Sequence, residues 1–130
     1  MRFMIIVKAS AASEAGIMPE ESLLAEMAAY HEQLARAGVL LDGSGLRPSA
    51  DGWRIRYTGG QRSVVDGPFA ETKELIAGYT LIQVRSRDEA LEWARRCPPP
   101  QGPTADAEIE VRQLFELEDF APGAAIACAK

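Results

Sequence analysis

Apolar side chains along residues 2–8 supply both faces of an extended strand. Phe3 and Ile5 fall on one side of such a strand, and Met4 and Ile6 fall on the other. A strand that is apolar on both sides is covered on both sides when the chain folds. The pattern therefore predicts a central strand of a sheet near the N-terminus.

Two later segments show the three-to-four-residue apolar spacing of amphipathic helices. The first helix is predicted over residues 19–37, with Pro19 at its first position and Gly38 as its C-cap. The second helix is predicted to begin at a capping box, in which Glu89 reaches back toward the N-cap residue Ser86. A run of three prolines is expected to end it.

The remaining apolar segments predict strands. These strands lie at residues 39–41, 52–57, 62–65, 74–84 and 107–117. The Asp-Gly-Ser-Gly sequence at 42–45 is expected to interrupt the second strand, and residues 9–18 are expected to form a loop. Residues 118–130 predict a C-terminal tail that follows a single domain over residues 1–117.

This order of elements predicts an α+β fold, namely a ferredoxin-like βαββαβ protomer with an inserted β-hairpin. Each helix has a single apolar stripe, so both helices must cover the same face of the sheet. Met4 and Ile6 make the other face apolar as well, and no remaining element is large enough to cover it. We therefore expect a homodimer in which two sheets pack face to face.

Composition narrows the classes of function. The chain carries 14 basic and 19 acidic residues, a net charge of −5, which argues against a nucleic-acid partner. No apolar run approaches the roughly 20 residues of a membrane span, and residues 3–7 are too short for a signal peptide. We therefore expect a cytoplasmic protein with no membrane partner. One His and two distant Cys predict no metal site, and no nucleotide-binding spacing occurs, so no cofactor is expected.

Four isolated residues are candidates for chemistry. His31 is the only imidazole, the side chain most often used as a general acid or base. It falls on or beside the apolar stripe of the first helix, so a core or interface histidine is the alternative. Asp42 is either an Asx-turn residue or the partner of His31 in a dyad. Arg54 and Arg56 form either a solvated face of the hairpin or an anion site.

The segment that begins at Asp66 reads Asp-Gly-Pro-Phe-Ala-Glu-Thr-Lys-Glu. In this turn signature Asp66 can accept backbone N–H bonds, and Gly67 can take a positive φ. If the following residues are extended, Glu71 and Lys73 point to one side, and Thr72 and Glu74 point to the other. The segment is then either a rigid turn with a salt-bridged strand edge, or a polar cluster in which Asp66, Glu71 and Lys73 face a ligand.

This uninterrupted DGPFAETKE string resembles the DGPF proteins of the YCII-related family. Further similarity lies in AGVLLDGSGL at residues 37–46, in DEALEWA at 88–94 and in IEVR at 109–112, so the resemblance covers most of the chain. It implies ferredoxin-like protomers that form a dimeric α/β barrel, with residues 1–117 as the YCII-related domain.

The resemblance also implies that the chain binds a small molecule in a polar cleft near the dimer interface. The first hypothesis is a cofactor-independent lyase-like enzyme that carries out elimination or dehydrohalogenation on small hydroxylated aromatics. Its candidate catalytic residues are Asp66, His31 and Asp42. Its candidate ligand-binding residues are Phe69, Glu71, Thr72, Lys73 and Tyr79.

The family resemblance also bears on the role of His31. Some YCII-type members use a His–Asp pair whose histidine comes from the first helix. When residues 37 and 38 are aligned with the end of that helix, the family position falls nearer Met27 than His31.

The resemblance leaves a second function open. The alternative function is a non-catalytic accessory or sensing module that partners an extracytoplasmic-function sigma factor, because DGPF members resemble proteins encoded or fused beside such factors.

Overall fold

The computed structural model describes residues 1–120, which contain three α-helices and two β-sheets. In chain order the elements are β1 (Arg2–Lys8), α1 (Ala11–Glu14), α2 (Glu21–Arg36), β2 (Leu40–Gly45), β3 (Trp53–Thr58), β4 (Gln61–Asp66), β5 (Ile76–Gln83), α3 (Arg87–Arg95) and β6 (Ile109–Gln113). Short 3₁₀ turns occur at Ser49–Asp51, Thr72–Glu74 and Leu117–Asp119. Most of the predicted tail, including Cys128, lies outside the described residues.

The larger sheet places β1 in an inner position, as its two apolar faces predict. The strand order is β2-β5-β1-β6, and every neighbouring pair is antiparallel. Ile5 of β1 lies opposite Thr80 of β5 on one side and Val111 of β6 on the other. Helix α2 follows β1 and helix α3 follows β5. This mixed α+β arrangement is compatible with the ferredoxin-like βαββαβ plan.

The hydrophobic core lies between one face of this sheet and the helices. Phe3, Ile5 and Ile82 line the sheet side, and Tyr30 and Leu34 of α2 pack against them. The phenol of Tyr30 also donates a hydrogen bond of 2.7 Å to the carbonyl oxygen of residue 93 in α3. This bond joins the two helices over the same face, which confirms that both cover it.

The opposite face of the sheet carries a second apolar surface. Met4, Ile6, Tyr79 and Leu81 alternate along β1 and β5 with the core residues, so their side chains point away from the helices. All four are half-buried, and the described core cluster contains none of them. We call this surface the open face.

Strands β3 and β4 form a separate two-stranded sheet. Their register runs from Trp53 opposite Asp66 to Thr58 opposite Gln61. The two residues of the turn, both glycines, have φ angles of 58° and 77°, as tight hairpin turns require. The hairpin presents large apolar side chains to solvent, with Trp53 65% exposed.

Several element boundaries differ from the prediction. Residues 11–14, predicted as loop, form α1, because Ser10 and Ser13 make a reciprocal capping box. Helix α2 begins at Glu21 rather than at Pro19. Glu89 accepts its hydrogen bond from the N–H of residue 85 rather than from the N-cap.

Strand boundaries shift for a shared reason, which is pairing with a neighbouring strand. Residues 42–45 do not interrupt β2, because they pair with β5 after an irregularity in register between Leu40 and Asp42. Strand β5 begins at Ile76, after a 3₁₀ turn, and β6 ends at Gln113 rather than at 117. No helix within residues 1–120 has the length and hydrophobicity to cross a membrane.

Candidate functional site

His31 lies on the helix side of the sheet and has a hydrogen-bond partner at each ring nitrogen. Its Nδ1 donates to the carbonyl oxygen of Met27 at 2.9 Å, and the Thr80 hydroxyl donates to Nε2 at 2.8 Å. A carbonyl oxygen can only accept, so this assignment places the proton of the neutral ring on Nδ1. Gly43 lies against the ring, since a Cβ added there would be 3.2 Å from Nε2. His31 therefore joins α2 to β5 by a hydrogen bond and packs against Gly43 of β2.

Asp42 lies on the open face and contacts a different residue of β5. Asp42 is opposite Leu81 in the register of β2 against β5, so the two share a face. The phenol of Tyr79 donates a hydrogen bond of 2.8 Å to Oδ2 of Asp42. This pair combines a proton acceptor with a hydrogen-bond donor next to an apolar surface.

The structure does not bring His31 and Asp42 together as a dyad. His31 is bonded to Thr80 and Asp42 to Tyr79, and these two β5 residues are consecutive. Side chains of consecutive strand residues point to opposite faces. The sheet therefore separates the imidazole from the carboxylate within the described protomer.

The turn after β4 is anchored to two other segments of the chain. The backbone N–H of Phe69 donates to Oγ of Ser49 at 3.0 Å, and both the N–H and the hydroxyl of Ser49 bind the carboxylate of Glu14. Gly67 passes so close to Ser49 that an added Cβ would lie 1.8 Å from its carbonyl oxygen. Gly67 does not use the positive φ that glycine allows. Close approach of the two backbones is what requires glycine here.

The acidic and basic residues of the DGPFAETKE segment are not gathered into one cluster. Asp66 ends β4 opposite Trp53, and its side chain accepts no hydrogen bond from the described residues, although the turn signature would allow one. Thr72 and Lys73 lie in a 3₁₀ turn that follows Glu71. The predicted alternation of side chains, which assumed an extended segment, is therefore wrong for these residues.

Phe69 is the predicted site residue that lines a pocket at this turn. We call it the turn pocket, and its volume is about 320 Å³. Its lining residues are Glu14, Leu46, Arg47, Ser49, Trp53, Arg54, Phe69, Glu74, Leu75 and Ile76. Sequence reasoning missed Glu14 and Ser49, which are 35 residues apart and share no local pattern. The Ser10 and Ser13 capping box was the one available signal for the helix that positions Glu14.

A second cavity, of about 600 Å³, lies at the far end of α2. Its lining residues are Ala37, Gly38, Val39, Leu41, Gln83, Val84, Arg85 and Glu89. None of the predicted site residues lines it.

The groups whose pKa values are shifted lie outside both cavities. A hydrogen bond from Arg2 holds the pKa of Glu116 below its usual range. Burial raises the pKa of the Cys97 thiol, which disfavours the reactive thiolate. Within residues 1–120 no group of three or more His, Cys, Asp or Glu side chains is arranged to hold a metal ion.

Comparisons with known proteins give a family and two similar proteins. The sequence profile of the YCII-related domain matches residues 1–118. An uncharacterized protein of Rhizobium meliloti (strain 1021) is 33% identical over 97 residues, which cover 75% of this chain and 78% of that protein. A solved structure of 5-chloro-2-hydroxyhydroquinone dehydrochlorinase from Burkholderia phenoliruptrix AC1100, in complex with 2,5-dihydroxybenzoquinone, aligns with a TM-score of 0.45 and 15% identity. That alignment covers 88% of this chain and 94% of the other.

Proposed function

Because the chain belongs to the YCII-related domain family, we propose that it is a cofactor-independent lyase-like enzyme that acts on a small hydroxylated molecule at Asp42 and Tyr79. The observation that carries this proposal is the hydrogen bond of 2.8 Å between these two side chains on the open face. The narrower membership in the DGPF group is part of the proposal and rests on residues 66–74.

The pair supplies the two groups that an elimination needs. The Asp42 carboxylate takes a proton from the substrate, and the electron pair of the broken bond forms the new double bond as the leaving group departs. The phenol of Tyr79 turns from Asp42 to the substrate and donates a hydrogen bond to the oxygen or leaving group on which negative charge develops. The proton and the leaving group are both released, so the reaction consumes no external oxidant or reductant.

The cleft for this chemistry is completed by a second copy of the chain. Met4, Ile6 and Leu81 form an apolar surface beside the pair. Packing of the open faces of two copies would bury these side chains and enclose both Asp42–Tyr79 pairs in a region with little water. Exclusion of water strengthens the hydrogen bond that Tyr79 makes to the developing charge.

A panel of small hydroxylated aromatics, with and without a halogen leaving group, tests this function. Turnover is followed by ultraviolet absorbance, and binding by saturation-transfer NMR. Asp42→Asn is expected to remove turnover while leaving binding measurable, and Tyr79→Phe is expected to lower turnover by roughly a hundredfold. Glu26→Gln, an exposed change of the same kind on α2, is the matched control and keeps wild-type activity.

The proposal fails if folded Asp42→Asn retains the turnover of the wild type. It also fails if no member of the panel is bound or converted. The sigma-factor hypothesis stays a prediction from the resemblance, and no contact within residues 1–120 favours it.

A further inference from the structure

We propose a second ligand site in the turn pocket, which takes a zwitterionic α-amino acid with an apolar side chain. This site shares no lining residue with the Asp42–Tyr79 pair. Three features of the pocket lead to this ligand class, namely a guanidinium in contact with an aromatic ring, a carboxylate without an ion-pair partner in the described residues and an exposed apolar wall.

The guanidinium of Arg54 lies over the ring of Phe69. Its central carbon lies 3.7 Å from the ring centroid, which is close contact for such a stack. Across residues 1–120 Arg54 takes part in no ion pair. The contact restrains the guanidinium beside the ring, and its N–H groups match the two oxygens of a carboxylate. We therefore expect Arg54 to bind a carboxylate in a bidentate manner, through two hydrogen bonds.

An opposite charge lines the same pocket without neutralising Arg54. Of the four charged lining residues, Arg47 is bonded to Asp51 and Glu14 to Ser49. The other two, Arg54 and Glu74, form no ion pair with each other or elsewhere in the described part of the chain. A ligand that carries both an ammonium and a carboxylate can satisfy both charges.

Ligands with a single charge fit this arrangement less well. A simple carboxylate would bind Arg54 but leave Glu74 of the same pocket without an opposite charge, and the carboxylate of Glu14 adds further repulsion. A simple amine would face the arginines in the same way. The pocket lining contains equal numbers of arginine and glutamate residues, so a ligand with no net charge is favoured.

The rest of the pocket suits an apolar side chain. Trp53, Leu46 and Ile76 line it and are 65%, 46% and 39% exposed, so a ligand can still cover them. The volume of about 320 Å³ lies at the lower end of the range for small-molecule sites, which fits a single amino acid.

Hydrogen bonds within the protein hold together the part of the pocket that Glu14, Ser49 and Phe69 form. Ser49 connects Glu14 of α1 to the backbone of Phe69 through three hydrogen bonds. The N–H of Gly67 adds a bond of 3.0 Å to the carbonyl oxygen of Gly52. Three separate chain segments, around Glu14, residues 49–52 and residues 67–69, are thereby held together, so binding need not order them.

Phenylalanine and two analogues, each of which lacks one charge, test the assignment. Phenylpropanoate has no ammonium, and phenethylamine has no carboxylate. Each is titrated into the full-length Trp93→Phe variant, in which the one remaining indole N–H signal in a proton–nitrogen correlation spectrum belongs to Trp53. Phenylalanine is expected to shift this signal in a saturable way, and both analogues to bind at least about tenfold more weakly.

Charge-removing variants in the same background give the second test. Arg54→Gln and Glu74→Gln are each expected to weaken phenylalanine binding at least about tenfold. Arg56→Gln, two residues along the same side of β3 and outside the pocket lining, keeps the unmodified affinity. Asp42→Asn also keeps it, which separates this site from the proposed catalytic pair.

Three results would overturn the proposal. The first is the lack of a saturable shift with phenylalanine at millimolar concentration. The second is equal binding of phenylalanine and phenylpropanoate, which would remove the role of Glu74. The third is unchanged affinity in folded Arg54→Gln.

Discussion

His31 and Asp42 lie on opposite faces of the four-stranded sheet and are held there by consecutive residues of β5. The imidazole accepts a hydrogen bond of 2.8 Å from the Thr80 hydroxyl, and the carboxylate accepts a hydrogen bond of 2.8 Å from the Tyr79 phenol. The strand therefore divides the two groups that a His–Asp mechanism would join. The proposed acid–base chemistry therefore involves the open face, whereas His31 contributes to the packing of α2 on the sheet.

The hydrogen bond between Thr80 and His31 is expected to support stability rather than activity. Thr80→Val keeps the shape of a side chain that is 4% exposed but leaves Nε2 of His31 without its donor. Loss of a buried hydrogen-bond partner costs about 1–3 kcal/mol of unfolding free energy. Urea denaturation measures this loss, and turnover of the folded variant should equal that of the wild type. Unchanged stability with abolished turnover would return His31 to the reaction.

Gly67 is expected to tolerate no side chain. In Gly67→Ala the new Cβ would lie 1.8 Å from the carbonyl oxygen of Ser49, so the backbone of the turn must move. We expect a loss of about 2 kcal/mol or more, as for other overpacked sites, together with weaker amino-acid binding in the turn pocket. Gly45→Ala is the control, because nothing lies within 4 Å of a Cβ added there. Equal unfolding midpoints for the two variants would contradict the close approach.

Tyr30 is expected to make stability fall at alkaline pH. Burial raises the pKa of its phenol, which donates a hydrogen bond to α3 only while it is protonated. A group whose pKa is raised on folding stabilises the protein fully below its unfolded pKa, about 10 for tyrosine, and loses that contribution as pH rises toward the folded value.

The difference in unfolding free energy between the wild type and Tyr30→Phe measures this effect. It should be constant from about pH 7 to 9 and shrink above about pH 10. Taking the difference removes the titration of groups that the two proteins share. A difference that stays constant through the alkaline range would contradict the role of burial at Tyr30.

Sequence patterns were sufficient to predict the elements that depend on a short segment of the chain. The alternation in β1, the stripe of α2 and the Ser86 cap of α3 all appear in the structure. The capped turn at Ala11–Glu14 carried a local signal too, but its composition resembled that of a loop. These elements depend on spacing within one short segment, which a single sequence displays.

The candidate site depends on register, which no single segment displays. The contact of Asp42 with Tyr79 follows an irregularity between Leu40 and Asp42 in the pairing of β2 with β5. A shift of one residue there would have turned Asp42 to the helix side, toward His31. The turn pocket likewise depends on the long-range bond between Glu14 and Ser49.

The function proposed for the open face requires a second copy of the chain to cover it. An isotope-filtered NOE experiment tests whether the open faces of two copies are in contact. Protomers with labelled methyl groups are mixed with unlabelled protomers, and contacts across the interface are read at Ile6 and Leu81. We expect intermolecular NOEs from these methyl groups, and we expect Ile6→Glu to abolish them. A 14.1 kDa monomer, or intermolecular NOEs confined to Ile55 and Val64 of the hairpin, would contradict packing of the open faces.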